Sequence, residues 1–427
     1  MELVKKILID DDIYFYDAYK NLLIKDGNYY QKNTEPLVVQ NWISEKEYKW
    51  MLENCREQLV LGVTNECNMR CKYCTYHDNR YEKNIFNEMM DEVTAETAIS
   101  EFLSCCKETA APCISFYGGE PLLNFDLIKK CVPFALGKSN GRPVKFGITT
   151  NGLLLNDEVN DFFAKYNFEV GVSLDGPKFL HDRYRVTIHN VGTYTNVIEN
   201  LKHFWEKHKL YFERNVFFST VLAIPRCSKL LFDFFENSKI STVMTDVYIT
   251  NHYKKLLNEN DTNLSDDLDY AKIDDYEKMF SYMAIGLKKF DTVSNPSGNE
   301  ANFPLGFCNA LVKKMYVSAN GNYFVCEKID EHNSENIIGN IYSGINFNKL
   351  FKTQNMILNL AIKKCSKCWA IRFCTVCHTS LNEALANEER CDLVRNECEV
   401  HLKKYIQIMN SNGEKLKEIF SKIHILY

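Results

Sequence analysis

"LVLGVTNECNMRCKYC", Leu59 to Cys74, joins an apolar, strand-like run directly to three cysteines spaced C-x3-C-x2-C. Three thiols are an awkward number for disulfides, and a structural zinc ion takes four protein ligands. Something other than a fourth nearby cysteine is expected to complete the set. The run before the cysteines opens a series. Further strands are expected in "CISFYG" (113–118), "VKFGITT" (144–150), "FEVGVSL" (168–174), "VFFSTVL" (216–222) and "VMTDVYI" (243–249). Between them lie stretches such as "TAETAISEFLSCCK", "NDEVNDFFAKY" and "TYTNVIENLKHFWEKH", whose apolar residues return every three or four positions. Such alternation marks βα units on a parallel sheet. Six strands predict an α/β fold with a partial (β/α)6, TIM-like barrel. In parallel barrels the loops at the carboxyl ends of the strands converge on one mouth, and the three cysteines fall there.

The chain has 427 residues, 45% hydrophobic and 25% charged, enough for more than one core. A formal net charge of −5 and the lack of a basic stripe argue against nucleic acid or an anionic membrane as partner. "MELVKKILIDDD" sets acids straight after a very short apolar run, unlike a secretory signal, and no later segment reaches membrane-spanning length. A cytoplasmic protein is expected. In that reducing compartment its 17 cysteines favour metal binding over disulfides. Cys55, Cys105, Cys106, Cys113, Cys131 and Cys227 are scattered through apolar or helical text and read as small core hydrophobes. The others cluster. Four domains are expected: 1–58, a strand pair and a helix, either packing against the barrel or resembling a shortened peptide-recognition element; 59–253, the barrel core; 254–300, a connector with one amphipathic helix; and 301–427, which carries the second set of cysteines.

Three thiolates can hold three irons of a cubane cluster and leave the fourth iron for a non-protein ligand. With Tyr73 just before the last cysteine, the spacing resembles the signature of radical S-adenosylmethionine (SAM) enzymes; zinc binding is the competing reading. The resemblance implies a [4Fe-4S] cluster whose open iron chelates SAM, and reductive cleavage of SAM to methionine and a 5′-deoxyadenosyl radical. It also implies cofactor contacts on this chain. Gly118, Gly119 and Glu120 in "FYGGEP" match the element that contacts the methionyl amino group. Ser173 and Arg185 in "SLDGPKFLHDRYR" stand at the separation at which sulfatase-maturing relatives contact SAM. Arginine suits a carboxylate because its planar fork donates two parallel hydrogen bonds.

Asn320-Gly321 predicts a hairpin turn between two strand-like runs, so Cys308 and Cys326 flank a β-hairpin. "CSKCWAIRFCTVC" then supplies Cys365, Cys368, Cys374 and Cys377, followed by Cys391 and Cys398. Taken alone, C-x2-C-x5-C-x2-C suits a zinc ribbon equally well. After a radical SAM core the order resembles a SPASM domain, although Cys377 follows two residues after Cys374 where that pattern has three. The resemblance implies two auxiliary [4Fe-4S] clusters, three clusters in all. Cys308, Cys326 and Cys377 would hold the nearer; Cys365, Cys368 and Cys374, with Cys391 or Cys398, the farther. Glu327, directly after Cys326, stands where sulfatase maturases carry an acidic proton acceptor, so a base role is expected of it. "FYGGEPLLNF" and "CWAIRFCTVC" resemble maturases of cysteine-rich ribosomal peptides. The implied function is installation of a cross-link, a cysteine thioether, in a ribosomally made, Cys-rich precursor peptide, with an electron donor such as flavodoxin or ferredoxin. The competing functions are anaerobic sulfatase maturation (formylglycine formation), peptide epimerisation or carbon–carbon cross-linking, and a non-catalytic metal or iron–sulfur binding protein.

Overall fold

The computed structural model describes residues 3–25, 38–40, 44–74, 88–222, 234, 242–246, 300–302, 311–331, 333–374, 376 and 388–421. The expected connector lies outside the described residues apart from Glu300. The chain divides into two compact units, one of Met1–Met51, Met283–Lys313 and Asn346–Tyr427, the other of Leu52–Tyr282 and Lys314–Ile345.

The first unit opens with an antiparallel sheet of β1 (Val4–Ile9), β2 (Asp12–Asp17) and β3 (Leu22–Lys25), one strand more than the expected pair. A short β4 (Val38–Gln40) and the expected helix α1 (Glu45–Asn54) follow. Tyr16 of β2 is fully buried, its ring 4.8 Å from that of Phe373, and Arg372 Nε donates to Ala18 O at 2.8 Å. The N-terminal sheet thus packs on the segment that carries the C-terminal cysteines.

The second unit holds the parallel sheet. In chain order its first six strands are β5 (Gln58–Thr64), β6 (Cys113–Gly118), β7 (Lys145–Thr150), β8 (Glu169–Ser173), β9 (Val216–Leu222) and β10 (Thr242–Asp246), each paired in parallel with the next. All six expected strands are present. Every residue of β5 is buried, as expected of a strand covered on both faces. In β6 burial alternates, leaving Cys113, Ser115 and Tyr117 half-buried on one face. Crossover helices include α2 (Glu92–Ser104), capped where Asp91 accepts from Thr94 N at 2.7 Å, α3 (Phe125–Lys138), and α4 (Asp157–Lys165), capped by Asn156. α5 (Lys178–Tyr184) and α6 (Tyr194–Lys207) follow β8. Among the described residues no pairing joins the two sheet edges, so the barrel is partial.

The hairpin foreseen around Asn320-Gly321 is present as β12 (Lys314–Val317) and β13 (Asn322–Phe324), after a short β11 (Glu300–Asn302) in the first unit. β12 pairs in parallel with β5, so the hairpin extends the core sheet rather than standing apart with the C-terminal cysteines. One glycine makes room for this. A Cβ on Gly62 would lie 2.3 Å from the hydroxyl of Tyr316, which is fully buried. Of the cysteines read as core hydrophobes, Cys106 and Cys131 are buried, whereas Cys55, Cys105 and Cys113 are half-buried; Cys227 lies outside the described residues. No helix among the described residues is long and apolar enough to cross a membrane.

Gly62→Ala forces the Tyr316 ring from its slot. It is expected to lower unfolding stability by roughly 1–3 kcal/mol, the range for overpacking a filled core. A urea unfolding midpoint unchanged from wild type would contradict this packing.

Candidate functional site

The carboxyl ends of β5 and β6 are laced together by backbone contacts too close for side chains, and the Glu120 side chain extends the lacing to β7. Gly118 has φ +136°, and a Cβ there would lie 2.1 Å from Thr64 O; one on Gly119 would lie 2.2 Å from Glu66 O. Gly119 N donates to Thr64 O at 2.9 Å and Glu120 N to Glu66 O at 2.8 Å. The close approach expected at these glycines is thus made to the chain's own backbone, where it enters the cysteine loop. Glu120 is fully buried. Its carboxylate accepts from Thr150 Oγ1 (2.7 Å), Asn151 N (2.7 Å) and Leu122 N (3.1 Å). Burial raises its pKa, and these hydrogen bonds and the charge of Arg185 oppose the rise.

The cysteine loop is held from the other side as well. Arg70 N donates to Val186 O at 2.7 Å and Lys72 N to Tyr184 O at 2.9 Å, so the loop runs beside the segment that ends α5. Cys67, Cys71 and Cys74 are half-buried and act electrostatically on one another. Burial pushes the Cys67 thiol up to about 12 and that of Cys71 up to about 11, the latter opposed by Arg185. Asn151 Nδ2 lies 3.9 Å from Cys67 Sγ and donates to Asn68 Oδ1 at 2.7 Å.

Tyr73, Asp175 and Arg185 form one network. Arg185 Nη1 donates to the Tyr73 hydroxyl at 2.6 Å and stands 3.9 Å from Asp175 Oδ2, which accepts the Tyr73 hydroxyl proton. Burial works against the charge on Arg185, but Tyr73, Cys71 and Asp175 outweigh it. Arg185 Nε is buried without a hydrogen-bond partner among the described residues. Ser173 is half-buried at the end of β8, in register with Ser219 of β9.

Two supports escaped the sequence reading. Asn151 had only its place in "TTNG" to mark it. His181 lies inside "FLHDRY", where its apolar neighbours suggest nothing more than a helix face. His181 is fully buried; Nδ1 accepts from Asp175 N at 3.3 Å, Nε2 meets Thr193 Oγ1 at 3.0 Å, and Thr193 Oγ1 donates to Arg185 O at 3.1 Å. It therefore ties Asp175 to Arg185 from behind.

The auxiliary candidates divide between the units. In the first unit, Cys374, Cys368 and Cys391 act on Cys365, whose thiol burial pushes up to about 12. Cys398 is buried with its Sγ 3.7 Å from Phe373 O. In the second unit, Cys326 is buried beside Glu327. Glu327 differs from the poised base expected of it. Its carboxylate is 2.6 Å from Lys314 Nζ, because the hairpin brings the two together. Burial opposes its charge, but Lys314 and Lys328 prevail and hold the carboxyl at about 2. Cys308 and Cys377 lie outside the described residues. Among the described residues no three His, Cys, Asp or Glu side chains form a site for a metal ion.

The donor set fits a thiolate-ligated cluster with an amino-acid chelate: three soft thiols on one loop, and beside them a buried guanidinium with an unused N–H. Residues 61–212 match the Radical SAM superfamily. The sequence is 34% identical, over 34% of this chain and 39% of the relative, to a cysteine-type anaerobic sulfatase-maturating enzyme of Clostridium novyi. It is 33% identical, over 34% of this chain and 35% of the relative, to a serine-type anaerobic sulfatase-maturating enzyme of Bacteroides thetaiotaomicron. The chain thus spans well under half the length of these curated relatives. Native anSMEcpe with bound AdoMet superposes with a TM-score of 0.56 over 86% of this chain and 100% of that chain, at 16% identity, a likeness of fold.

Replacing His181 tests its place behind the site. Its pKa is lowered to about 3, first by burial and then by the charge of Arg185. The unfolded chain therefore binds the proton more readily. Stability due to neutral His181 is full above the ordinary value of 6.5 and is lost as pH falls from there toward 3. His181→Gln should flatten the acid limb of unfolding stability of the metal-free protein, leaving the share of buried His401, whose pKa is also lowered, to about 4. Parallel curves for variant and wild type over that range would contradict the assignment.

Proposed function

We propose, taking residues 61–212 as the radical SAM domain that their match identifies, that this chain is a maturase that cross-links a ribosomally made, Cys-containing precursor peptide through a thioether. The observation that carries the reading is the set of three mutually interacting thiols at the mouth of the parallel sheet, backed by the Arg185 network. When bound, a [4Fe-4S] cluster with SAM supplies abstraction of a hydrogen atom from an unactivated carbon. Cys67, Cys71 and Cys74 would hold the cluster. Because burial raises the Cys67 and Cys71 thiols, loading iron would displace their protons. Arg185 would take the SAM carboxylate, with Tyr73 and Asp175 fixing its plane. Glu120, Gly118 and Gly119 hold the loop into which the methionyl amino group would fit, and Ser173 stands at the next strand end.

For the farther auxiliary cluster we favour Cys391 as the fourth ligand to Cys365, Cys368 and Cys374, since Cys391 acts on Cys365 while Cys398 turns to Phe373 O. Cys308, Cys326 and Cys377 are the proposed ligands of the nearer cluster. A flavodoxin or ferredoxin would supply the electron. The N-terminal sheet supports the C-terminal cysteine segment, which weighs toward packing rather than peptide recognition as its role. Formylglycine formation is the second reading, favoured by the two sulfatase-maturase relatives.

Anaerobic reconstitution should give about twelve irons per chain, three cubanes' worth, 5′-deoxyadenosine on reduction with SAM, and a loss of two hydrogens from a Cys-containing precursor peptide. Oxidation of a sulfatase-derived peptide in its place would overturn the thioether reading. Cys67→Ala, Cys71→Ala or Cys74→Ala should each abolish 5′-deoxyadenosine, whereas Cys365→Ala or Cys368→Ala should leave uncoupled SAM cleavage. Wild-type cleavage in the first group would refute the ligand assignment.

A further inference from the structure

Glu327, directly after Cys326, is paired with Lys314. Four residues on, Glu331 stands in a different setting. Its Oε1 accepts from the Tyr316 hydroxyl at 2.6 Å, the hydroxyl that reaches this point through the slot left by Gly62. Its Oε2 takes no hydrogen bond among the described residues, and the side chain is half-buried. The charged groups acting on it are Glu88 and Asp330, both acidic, in contrast to the lysines around Glu327. Glu88 fixes its location. Glu88 Oε2 accepts from Asn65 Nδ2 at 3.1 Å, and Glu88 O accepts from Thr64 Oγ1 at 3.1 Å, so this carboxylate pair flanks the entry to the cysteine loop. Burial, with the charges of Glu88 and Asp330, lifts the Glu331 carboxyl to about 7 against the hydrogen bond from Tyr316. A group that is half ionised near neutral pH is suited to take up a proton and release it again.

We propose that Glu331 is a catalytic residue, the proton acceptor for the substrate thiol whose sulfur joins carbon. The proposal rests on the thioether reading given above. With a SAM-bound cluster supplying hydrogen-atom abstraction from the substrate carbon, the thiol S–H bond would break with its proton passing to the Glu331 carboxylate. The sulfur lone pair and the carbon-centred electron would form the S–C bond, and the surplus electron would pass to an oxidised iron–sulfur cluster, for which the C-terminal cysteines are the proposed ligands. The peptide loses two hydrogens in all. Tyr316, bonded to Oε1, positions the carboxyl and leaves Oε2 to the substrate.

Two measurements on the full chain test this. In metal-free protein, infrared titration of protonated carboxyl groups should show a change near pH 7 that is lost in Glu331→Gln and shifted upward in Tyr316→Phe, which loses the hydrogen bond that favours the anion. In reconstituted enzyme with a Cys-containing precursor peptide, Glu331→Gln should slow thioether formation on the order of 10²-fold more than it slows 5′-deoxyadenosine formation, and should erase the acid limb of the rate profile. Glu327→Gln should keep that limb. Absence of a carboxyl titrating between about pH 6 and 8, or a Glu331→Gln enzyme with the wild-type limb and rate, overturns the proposal. A wild type that cleaves SAM yet joins no Cys peptide contradicts the function reading and the proposal together. The infrared result then separates that failure from one confined to Glu331.

Discussion

Glu120 is the point on which the site depends. Its backbone N–H reaches Glu66 O, at the entry to the cysteine loop, while its buried carboxylate holds Thr150 and Asn151 at the end of the third parallel strand. Three strand ends are thereby fixed to one another. The approach is possible only because Gly118 and Gly119 leave no Cβ in the way of Thr64 O and Glu66 O. Losing the carboxylate would strand buried donors, each at a cost of about 1–3 kcal/mol. The thiols inherit their positions from this lacing. Asn151, oriented by Glu120, lies against Cys67, and the residues after α5 hold Arg70 and Lys72 from the opposite side.

Two sets of charged groups lie by the cysteine loop. One is the guanidinium of Arg185, held by Tyr73 and Asp175, with His181 kept neutral behind it. The other is the pair of carboxyl groups of Glu88 and Glu331, placed by the bond of Glu88 to Asn65. The first offers a partner to an anionic cofactor group, the second an acceptor for a proton released from substrate. The proposed chemistry needs both.

Much of the fold was legible in the residues. The six strands of the core stood out as short apolar runs because parallel strands are covered on both faces, and Asn320-Gly321 marked its hairpin through the backbone freedom of a tight turn. The joining of that hairpin to β5 was not legible, since the pairing of Lys314 with Gln58 spans most of the chain and leaves no local pattern. The ion pair of Glu327 was not legible for a related reason. Adjacency to Cys326 was visible, but the lysine that neutralises Glu327 sits at the far end of the hairpin, and nothing in the local text of residue 327 announces it. Cys67, Cys71 and Cys74 were singled out by their spacing and Tyr73 and Arg185 by resemblance, and the structure brings Arg185 against Tyr73 and Cys71. His181 and Asn151 were missed because a support that acts through another residue needs no fixed spacing.

The loop from Cys67 to Cys74 and the Arg185 network would together form a site for a cluster that binds SAM directly. The most direct measurement is electron paramagnetic resonance of the reconstituted, reduced protein in which the auxiliary candidates Cys326, Cys365, Cys368 and Cys374 are replaced by alanine. A [4Fe-4S] signal that changes shape on addition of SAM is expected. A signal indifferent to SAM, or a chain that holds zinc and no iron, would contradict it.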